Sequence, residues 1–556
     1  MIFTYFCNLL LISRIILIIS FVVLFYLGAA AGVAAAFGAP AGGVLFSLEE
    51  GASFWNQALT WRIFFCSMIS SFTLYTFLAA YYEHSGQLSY VGFVKFQDLN
   101  YSVFELPIYV LMGAIGGLLG ALHNDINYHI SIFRRKYLVT KGSRVVEAVL
   151  VAIFTASIAY VATSYSSDCR VYDQKLNEVQ YPIQFHCPDG HYSSMASLFF
   201  STPEVALQKL FHNHHESWSY LSLTIFVIIY FFLASLTYGL SVSSGLFVPS
   251  LIIGAAWGRL FHKFFIHFIP GCEKWAMVTK FSLIGASAML GGIVRMTISL
   301  TVIIIEGIGN VTFGLPIMIT LIAAKWVGDY FSRESIYDIH IHLSSVPFLP
   351  WEPPSTSSTI YAAEISSRDV VTLKAVEKVK TIIEALETTS HNGFPVVDLD
   401  SDDMNSSSSS SSNFHRSKNF GRFRGLILRW QLIILLREKV FNRQDETWTQ
   451  NLSSKTFRDA YPRYPLISEV VNKVTNEERE YTIDLRPIMN PSAYTISHTA
   501  SLNRIFRLFR ALGLRHLIVL NDRNEVIGIV TRKDLHKYIN YCKGWGQSGS
   551  ELQSAC

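Results

Sequence analysis

Charged side chains are scarce in this sequence. Only 15% of its 556 residues are Asp, Glu, Lys or Arg, where an ordinary soluble protein has about a quarter. The shortage is local: residues 1–350 alternate long apolar runs with short polar ones, whereas residues 360–540 read as a soluble domain. Basic runs are also missing. A net charge of +4 without a basic stripe or interleaved aromatics gives no footing to a nucleic-acid binder. The seven cysteines show no CxxC or other zinc spacing, which argues against a structural zinc site. Cys169 and Cys187 share one polar loop, roughly 167–218. A disulfide facing an oxidising lumen and two free thiols both fit there. The N-terminus lacks a basic n-region and a cleavage site, and Arg14 sits inside its apolar run. Residues 1–27 therefore read as an uncleaved span or as sequence foreign to the rest. Histidines such as His123, His214 and His215 form no nucleophile or metal constellation, so the chain is not expected to be an enzyme.

What is abundant is apolar: 51% of residues are hydrophobic and 14% aromatic, with a mean hydropathy of +0.32. A spanning helix needs roughly 20 apolar residues. Candidates are 9–27, 29–48, 58–81, 105–123, 145–165, 219–240, 246–266, 279–306 and 312–331. Several carry Gly or Pro, which membranes tolerate when neighbouring helices satisfy the freed backbone groups. The expectation is a polytopic membrane protein with a soluble C-terminal domain.

The run Gly28–Gly43, GAAAGVAAAFGAPAGG, leads through VLFSL to Glu49 and Glu50. Each Gly costs a helix interior about 1 kcal/mol against Ala, but small residues let membrane helices approach closely. Ionisable groups at the end of such a segment are functional candidates; carboxylates capping a span on its wet side fit as well. A shift of 257 lays Ala36–Glu49 over Ile293–Glu306. Both stretches have an irregular start, an apolar helix and a closing carboxylate, the pattern of a transporter with internal pseudosymmetry. Glu50 has no counterpart, because Gly307 stands there. Further on, Ser243-Ser244-Gly245-Leu246-Phe247-Val248-Pro249 precedes an apolar helix. The amides of Leu246 and Phe247 would sit at a helix start without intrahelical acceptors. Such an end carries about half a positive charge and suits an anion in passage; a plain helix start is the alternative.

Together these pieces resemble the CLC family of chloride channels and chloride/proton exchangers. The Ala/Gly run ending in FSLEE is similar to that family's helix bearing an internal proton glutamate. SGLFVP is similar to its anion-binding element, and FSRESIYDIHIHL to its last membrane helix. The motifs FSLEEGASFWNQ, GGIVRMT, SVPFLPWE, FRDAYPRYP and FRALGLRHLIV resemble the lysosomal exchanger branch. The resemblance runs over roughly residues 28–540. It implies Glu50 as internal proton acceptor, and Leu246, Phe247 and Tyr337 as chloride ligands; an interfacial tyrosine is the alternative for Tyr337. Two further family motifs, G-S-G-I-P with an anion-site serine and G-K-E-G-P with a gating glutamate, occur nowhere in the sequence. The first half is therefore expected to be partial, from a fragment, a misjoined gene model or a variant.

From Thr359 short β runs alternate with amphipathic helices. AVEKVKTIIEALETTSHNGFPVVD followed by FRGLILRWQLIILL is echoed by ASLNRIFRLFRALGLRHLIVLND followed by EVIGIVTRKDLHKYI. This order resembles a tandem CBS pair, at 360–440 and 484–542, with a linker at 441–483 and a tail at 543–556. The serine run Ser406–Ser412 reads as a flexible loop within 400–420. CBS pairs often bind ATP or another adenine nucleotide, and Gly528–Asp534 matches the corresponding motif. Thr531 would contact phosphate or ribose and Asp534 the ribose hydroxyls, or the two would simply cap the helix that follows. His391 and Asn392 stand where some relatives place an aromatic on the base.

The expected fold is thus a polytopic all-α membrane domain of CLC type, a partial inverted repeat, followed by a cytosolic α/β tandem CBS pair. The resemblance implies chloride/proton antiport across an endolysosomal membrane, no required cofactor, and a homodimer with an accessory membrane subunit as a further candidate partner. A non-transporting truncated subunit and a passive chloride channel remain the alternatives; the carboxylate at Glu50 speaks against the channel.

Overall fold

The computed structural model describes residues 21–51, 57–81, 100–166, 168–171, 183–213, 217–268, 276–332, 334–344, 346, 348–349, 353, 355–398, 420–442, 457 and 464–542. Most of the candidate span 9–27, the pair His214 and His215, the run Ser406–Ser412 and the tail 543–556 lie outside the described residues. The chain divides into two compact units, Phe25–Ser345 and a second made chiefly of Val346–Cys556.

Apolar periodicity and small-residue stripes make the first unit helical. Its helices are α1 Phe21–Phe37, α2 Pro40–Phe46, α3 Gln57–Tyr81, α4 Leu106–Tyr137, α5 Lys141–Tyr165, α6 Pro203–His212, α7 Tyr220–Thr237, α8 Phe247–Phe268, α9 Val278–Val294, α10 Ile298–Ile308, α11 Gly314–Phe331 and α12 Ile336–Leu343. Among the described residues, four helical stretches are long and apolar enough to cross a membrane: Gln57–Ala80, Val103–Tyr137, Lys141–Tyr165 and Tyr220–Thr237.

Two expected spans prove to be broken. Segment 29–48 is interrupted at Gly38 and segment 279–306 at Arg295, and both residues are left-handed, with φ of 65° and 62°. The shift of 257 relates these two positions. Gly adopts that conformation freely. Arg295 does so as the residue closing α9, and its guanidinium reaches Asp329 at 3.3 Å and the Ser332 carbonyl on the far end of α11. Breaks of this kind leave helix starts inside the apolar unit whose amides need acceptors from elsewhere. Another departure is α4, which runs 32 residues to Tyr137, not ending near 123. Its second half is polar in sequence, yet Asn124 donates to the Ile293 carbonyl at 2.9 Å and Asn127 to those of Ser235 and Tyr238 at 3.0 and 2.9 Å. Polar side chains are buried there because neighbouring helix ends accept from them. His123 is buried on the same helix with its ring edge-on to Phe231.

The loop between α5 and α7 is covalently closed: Cys169 and Cys187 form a disulfide, which settles the choice the sequence left open. Strands β1 Cys169–Val171 and β2 His191–Ser193 pair antiparallel beside it. Asp168 fastens this loop to the start of α7. Its carboxylate accepts from the hydroxyls of Ser194 and Ser222, both at 2.8 Å, from the Ser219 amide at 3.1 Å and from Arg170 at 3.0 Å. Burial disfavours its charge, but the hydrogen bonds from Ser194, Ser222 and Ser219 outweigh that and hold the carboxyl below its ordinary value. A carboxyl so depressed lends stability above its unfolded value near 3.9 and loses it only as pH falls through the lower, folded one. Hydrogen exchange of Ser193–Ser194 is therefore expected to stay protected from pH 7 to about 5 and to rise only below about 4. Asp168→Asn should raise exchange between about pH 5 and 7 and approach wild type as the wild-type carboxyl protonates; equal exchange in variant and wild type at about pH 7 would remove Asp168 from this role.

The second unit holds two modules of one plan. In the first, β3 Leu373–Lys374 pairs parallel with β5 Gly393–Asp398, which pairs antiparallel with β6 Arg422–Leu428. Helices α13 Val379–Thr388 and α14 Arg429–Arg437 cover that sheet. In the second, β8 Thr495–Ser497 pairs parallel with β9 His516–Leu520 and β9 antiparallel with β10 Val526–Thr531, under α16 Leu502–Leu512 and α17 Arg532–Cys542. The segment 441–483 is more than a linker. Within it, α15 Ile467–Val471 buries Val470 and Val471 in the first module's core. From Thr482 onward β7 Thr482–Asp484 pairs with β4 Val376–Lys378.

Candidate functional site

Two carboxylates fasten the broken helices to each other. Glu49 lies in the π-helical turn Ser47–Gly51 that follows α2. It accepts from the Thr297 amide and hydroxyl at 2.9 and 3.2 Å and from the Ser299 amide and hydroxyl at 2.9 and 2.5 Å, capping the start of α10. Glu306, near the end of α10, accepts from the Gly42 amide at 2.9 Å, capping the start of α2. Gly42 and Ser299 are related by the same shift of 257 as Glu49 and Glu306. Each half thus caps the other with an anion at a helix N-terminus, where the backbone dipole favours it. The close approach this needs is visible at Gly42, where a Cβ would meet Ile303 at 2.6 Å.

Glu50, the next residue, has no such ring of donors among the described residues. It is half-buried, and its charged neighbours are Asp338, Glu49 and Lys325. Tyr238 and Tyr337 both lie within electrostatic reach of it and of each other. Tyr337 occupies the first turn of α12, which Ser335 and Asp338 fix through a capping box: the Asp338 amide donates to Ser335 Oγ at 3.2 Å, and Ser335 Oγ donates to the Asp338 carboxylate at 2.8 Å.

The stretch Ser243–Leu246 is irregular, and α8 begins at Phe247. Among the described residues no acceptor faces the amides of Leu246 and Phe247. Phe247 reaches Tyr337 through one ring: Phe46 stands edge-on to Phe247 at 6.0 Å and edge-on to Tyr337 at 6.4 Å. Phe37 closes the other side of Phe247 at 5.5 Å. The structure therefore gathers Glu50, Tyr337, Leu246 and Phe247, from three separate segments, around Phe46. Tyr238, Glu49 and Glu306 belong to the same neighbourhood; the sequence marks Glu49 and Glu306 as closing carboxylates of the repeat but gives Tyr238 no role. For Tyr238 the available signal was its position eight residues before Leu246, on the stretch leading into SSGLFVP.

In the second unit, Thr531 N and Oγ1 both donate to Asp534, at 2.9 and 2.6 Å. The pair thus caps α17. The matching places in the first module are Leu428 and Gln431, where the Leu428 amide donates to the glutamine carbonyl at 2.9 Å. His391 lends its carbonyl to Arg429 at 3.4 Å, and the imidazole of His516 rests against Gly393, where a Cβ would meet it at 3.2 Å.

A family model described as voltage gated chloride channel matches residues 22–329, and one described as CBS domain matches residues 485–541. The human H(+)/Cl(-) exchange transporter 7 is 50% identical over 520 residues, covering 92% of this chain and 62% of its own length. Chloride channel protein C of Dictyostelium discoideum is 35% identical over 528 residues, covering 92% of this chain and 66% of its own. The chain thus spans about two thirds or less of the length of these curated relatives. The crystal structure of a eukaryotic CLC transporter aligns at a TM-score of 0.56 and 21% identity, covering 92% of this chain and 69% of that one, a likeness of fold alone.

Proposed function

The chain belongs to the voltage gated chloride channel family, and we propose that it exchanges chloride for protons across a membrane. Its architecture is a CLC-type helical membrane domain followed by CBS structure. The observation that carries the proposal is the gathering of Leu246 and Phe247, Tyr337 and Glu50 around Phe46. Helix-start amides and a phenolic hydroxyl suit a halide, since partial charges hold an anion without trapping it. An acid beside them, in a setting low in water, suits proton transfer. The relatives named as H(+)/Cl(-) exchangers support the same reading.

Orientation follows from charge and redox chemistry. Arg134, Arg135, Lys136, Lys141 and Arg144 lie at the turn between α4 and α5, which supports a cytosolic position for that turn. The disulfide loop at the other end of α5 then faces an oxidising lumen or exterior. An endolysosomal membrane, a homodimer, an accessory membrane subunit and cytosolic CBS modules that sense an adenine nucleotide through Thr531 and Asp534 complete the proposal. For nucleotide binding the cap between those two side chains would have to open.

The test is a chloride gradient imposed on liposomes holding the intact protein. Chloride flow should drive protons uphill. Chloride flow without proton movement would replace exchange by a passive channel, and absence of both would favour a non-transporting subunit.

A further inference from the structure

We propose that Tyr238 supplies a second phenolic hydroxyl to the anion, beside Tyr337. The inference rests on the chloride/proton reading above and extends it to a residue that reading does not use. Four observations converge on Tyr238. It lies on the irregular stretch between α7 and α8, eight residues ahead of Leu246. Its ring stands edge-on to His340 at 5.0 Å, on the same helix as Tyr337 and three residues after it, and it lies within electrostatic reach of Tyr337 and Glu50. It packs against the same apolar core as Phe46, Phe247 and Tyr337. Finally, neither its hydroxyl nor that of Tyr337 has a hydrogen-bond partner among the described residues. Partly buried tyrosine hydroxyls usually find one, so two without one among the described residues, on elements that meet at His340, leave room for a ligand that accepts.

The mount of Tyr238 is unusually rigid for a loop residue. Its carbonyl accepts from Asn127 Nδ2 and Arg134 Nη1, both at 2.9 Å. Arg134 is itself held by Glu147 at 2.6 Å. The amide group of Asn127 is committed as donor to the carbonyls of Ser235 and Tyr238, so its Oδ1 must accept. His340 Nε2, 3.0 Å from that oxygen, is therefore the protonated nitrogen. This fixes the imidazole plane, and the imidazole backs the Tyr238 ring edge-on at 5.0 Å. Packing alone would be served by phenylalanine. The hydroxyl adds only a donor, aimed from a fixed ring, and a halide or nitrate is the chemistry that two donors next to helix-start amides select.

Chloride binding to the purified intact protein, followed by calorimetry, tests the inference with Tyr238→Phe, Tyr337→Phe and Glu50→Ala in parallel. A hydrogen bond to a charged partner supports roughly a tenfold loss on removal. Tyr238→Phe should weaken chloride binding by about that factor and shift the chloride-to-nitrate preference, as Tyr337→Phe should. Wild-type affinity and preference in Tyr238→Phe, with Tyr337→Phe impaired, would overturn the inference and leave the site standing. If Tyr337→Phe also binds as wild type and Glu50→Ala still couples protons, the site itself falls, and the role of Tyr238 with it.

Discussion

Replacing Glu50 by alanine is expected to abolish proton movement while chloride continues to pass. Two features of its surroundings make this the largest functional effect. Glu49 cannot take over, because four donors from Thr297 and Ser299 occupy its carboxylate and tie it to the start of α10. Glu306 is likewise committed to α2 through Gly42, and the position after it is a glycine. Glu50, by contrast, accepts from no donor among the described residues and lies within electrostatic reach of Tyr337 and Tyr238. Loss of a group that takes and gives protons slows a transfer by on the order of a hundredfold or more, so chloride-driven proton flux should fall to background. Anion flux should persist, since the amides of Leu246 and Phe247 are untouched. Glu50→Gln should behave as Glu50→Ala, because neither side chain titrates. Wild-type coupling in either variant would show that protons take another route.

The second large effect concerns assembly. A stripe of glycines on α4 lets it lie directly on the backbones of α9 and α11. A Cβ on Gly120 would stand 2.2 Å from the Gly292 carbonyl carbon, one on Gly116 2.5 Å from that of Ala288, and one on Gly117 2.4 Å from the Ala324 carbonyl oxygen. These are backbone atoms, which no rotamer change can move aside. Overpacking in a close-packed interior commonly costs about 1–3 kcal/mol, and here two helices would have to part. Gly120→Val is expected to destroy the folded first unit, read as loss of a monodisperse peak on size exclusion. Gly28→Ala is the matched control: nothing lies within 4 Å of its Cβ position, and alanine should stabilise α1 by up to about 1 kcal/mol. A well-behaved Gly120→Val protein would mean that the α4–α9 contact is not the axis of the fold.

Much of this architecture is legible in the residues. Apolar length locates α3, α5, α7, α8 and α11 because each is one uninterrupted helix. The 257-residue echo marks both the left-handed breaks at Gly38 and Arg295 and the closing acids Glu49 and Glu306. What that echo cannot convey is reciprocity. Glu49 reads as a span-end carboxylate until folding brings Ser299 to it from 250 positions away. The echo marks where the breaks fall but not their left-handed geometry: hydropathy averages over Gly38 and Arg295, and only the Asp329 and Ser332 contacts explain an arginine in that conformation. The second half of α4 was missed because Asn124, Asn127 and Arg134 look like a wet loop, whereas their partners are carbonyls at the ends of other helices. Tyr238 escaped notice because its significance lies in a hydroxyl that pairs with none of the described residues, which no sequence pattern displays.

The most direct measurement of the central claim is anomalous diffraction from crystals of the intact protein grown in bromide. The account predicts a bromide peak within hydrogen-bonding distance of the Leu246 and Phe247 amides and facing the Tyr337 hydroxyl. Bromide absent from that point under conditions that support transport, or bound only elsewhere, would contradict it.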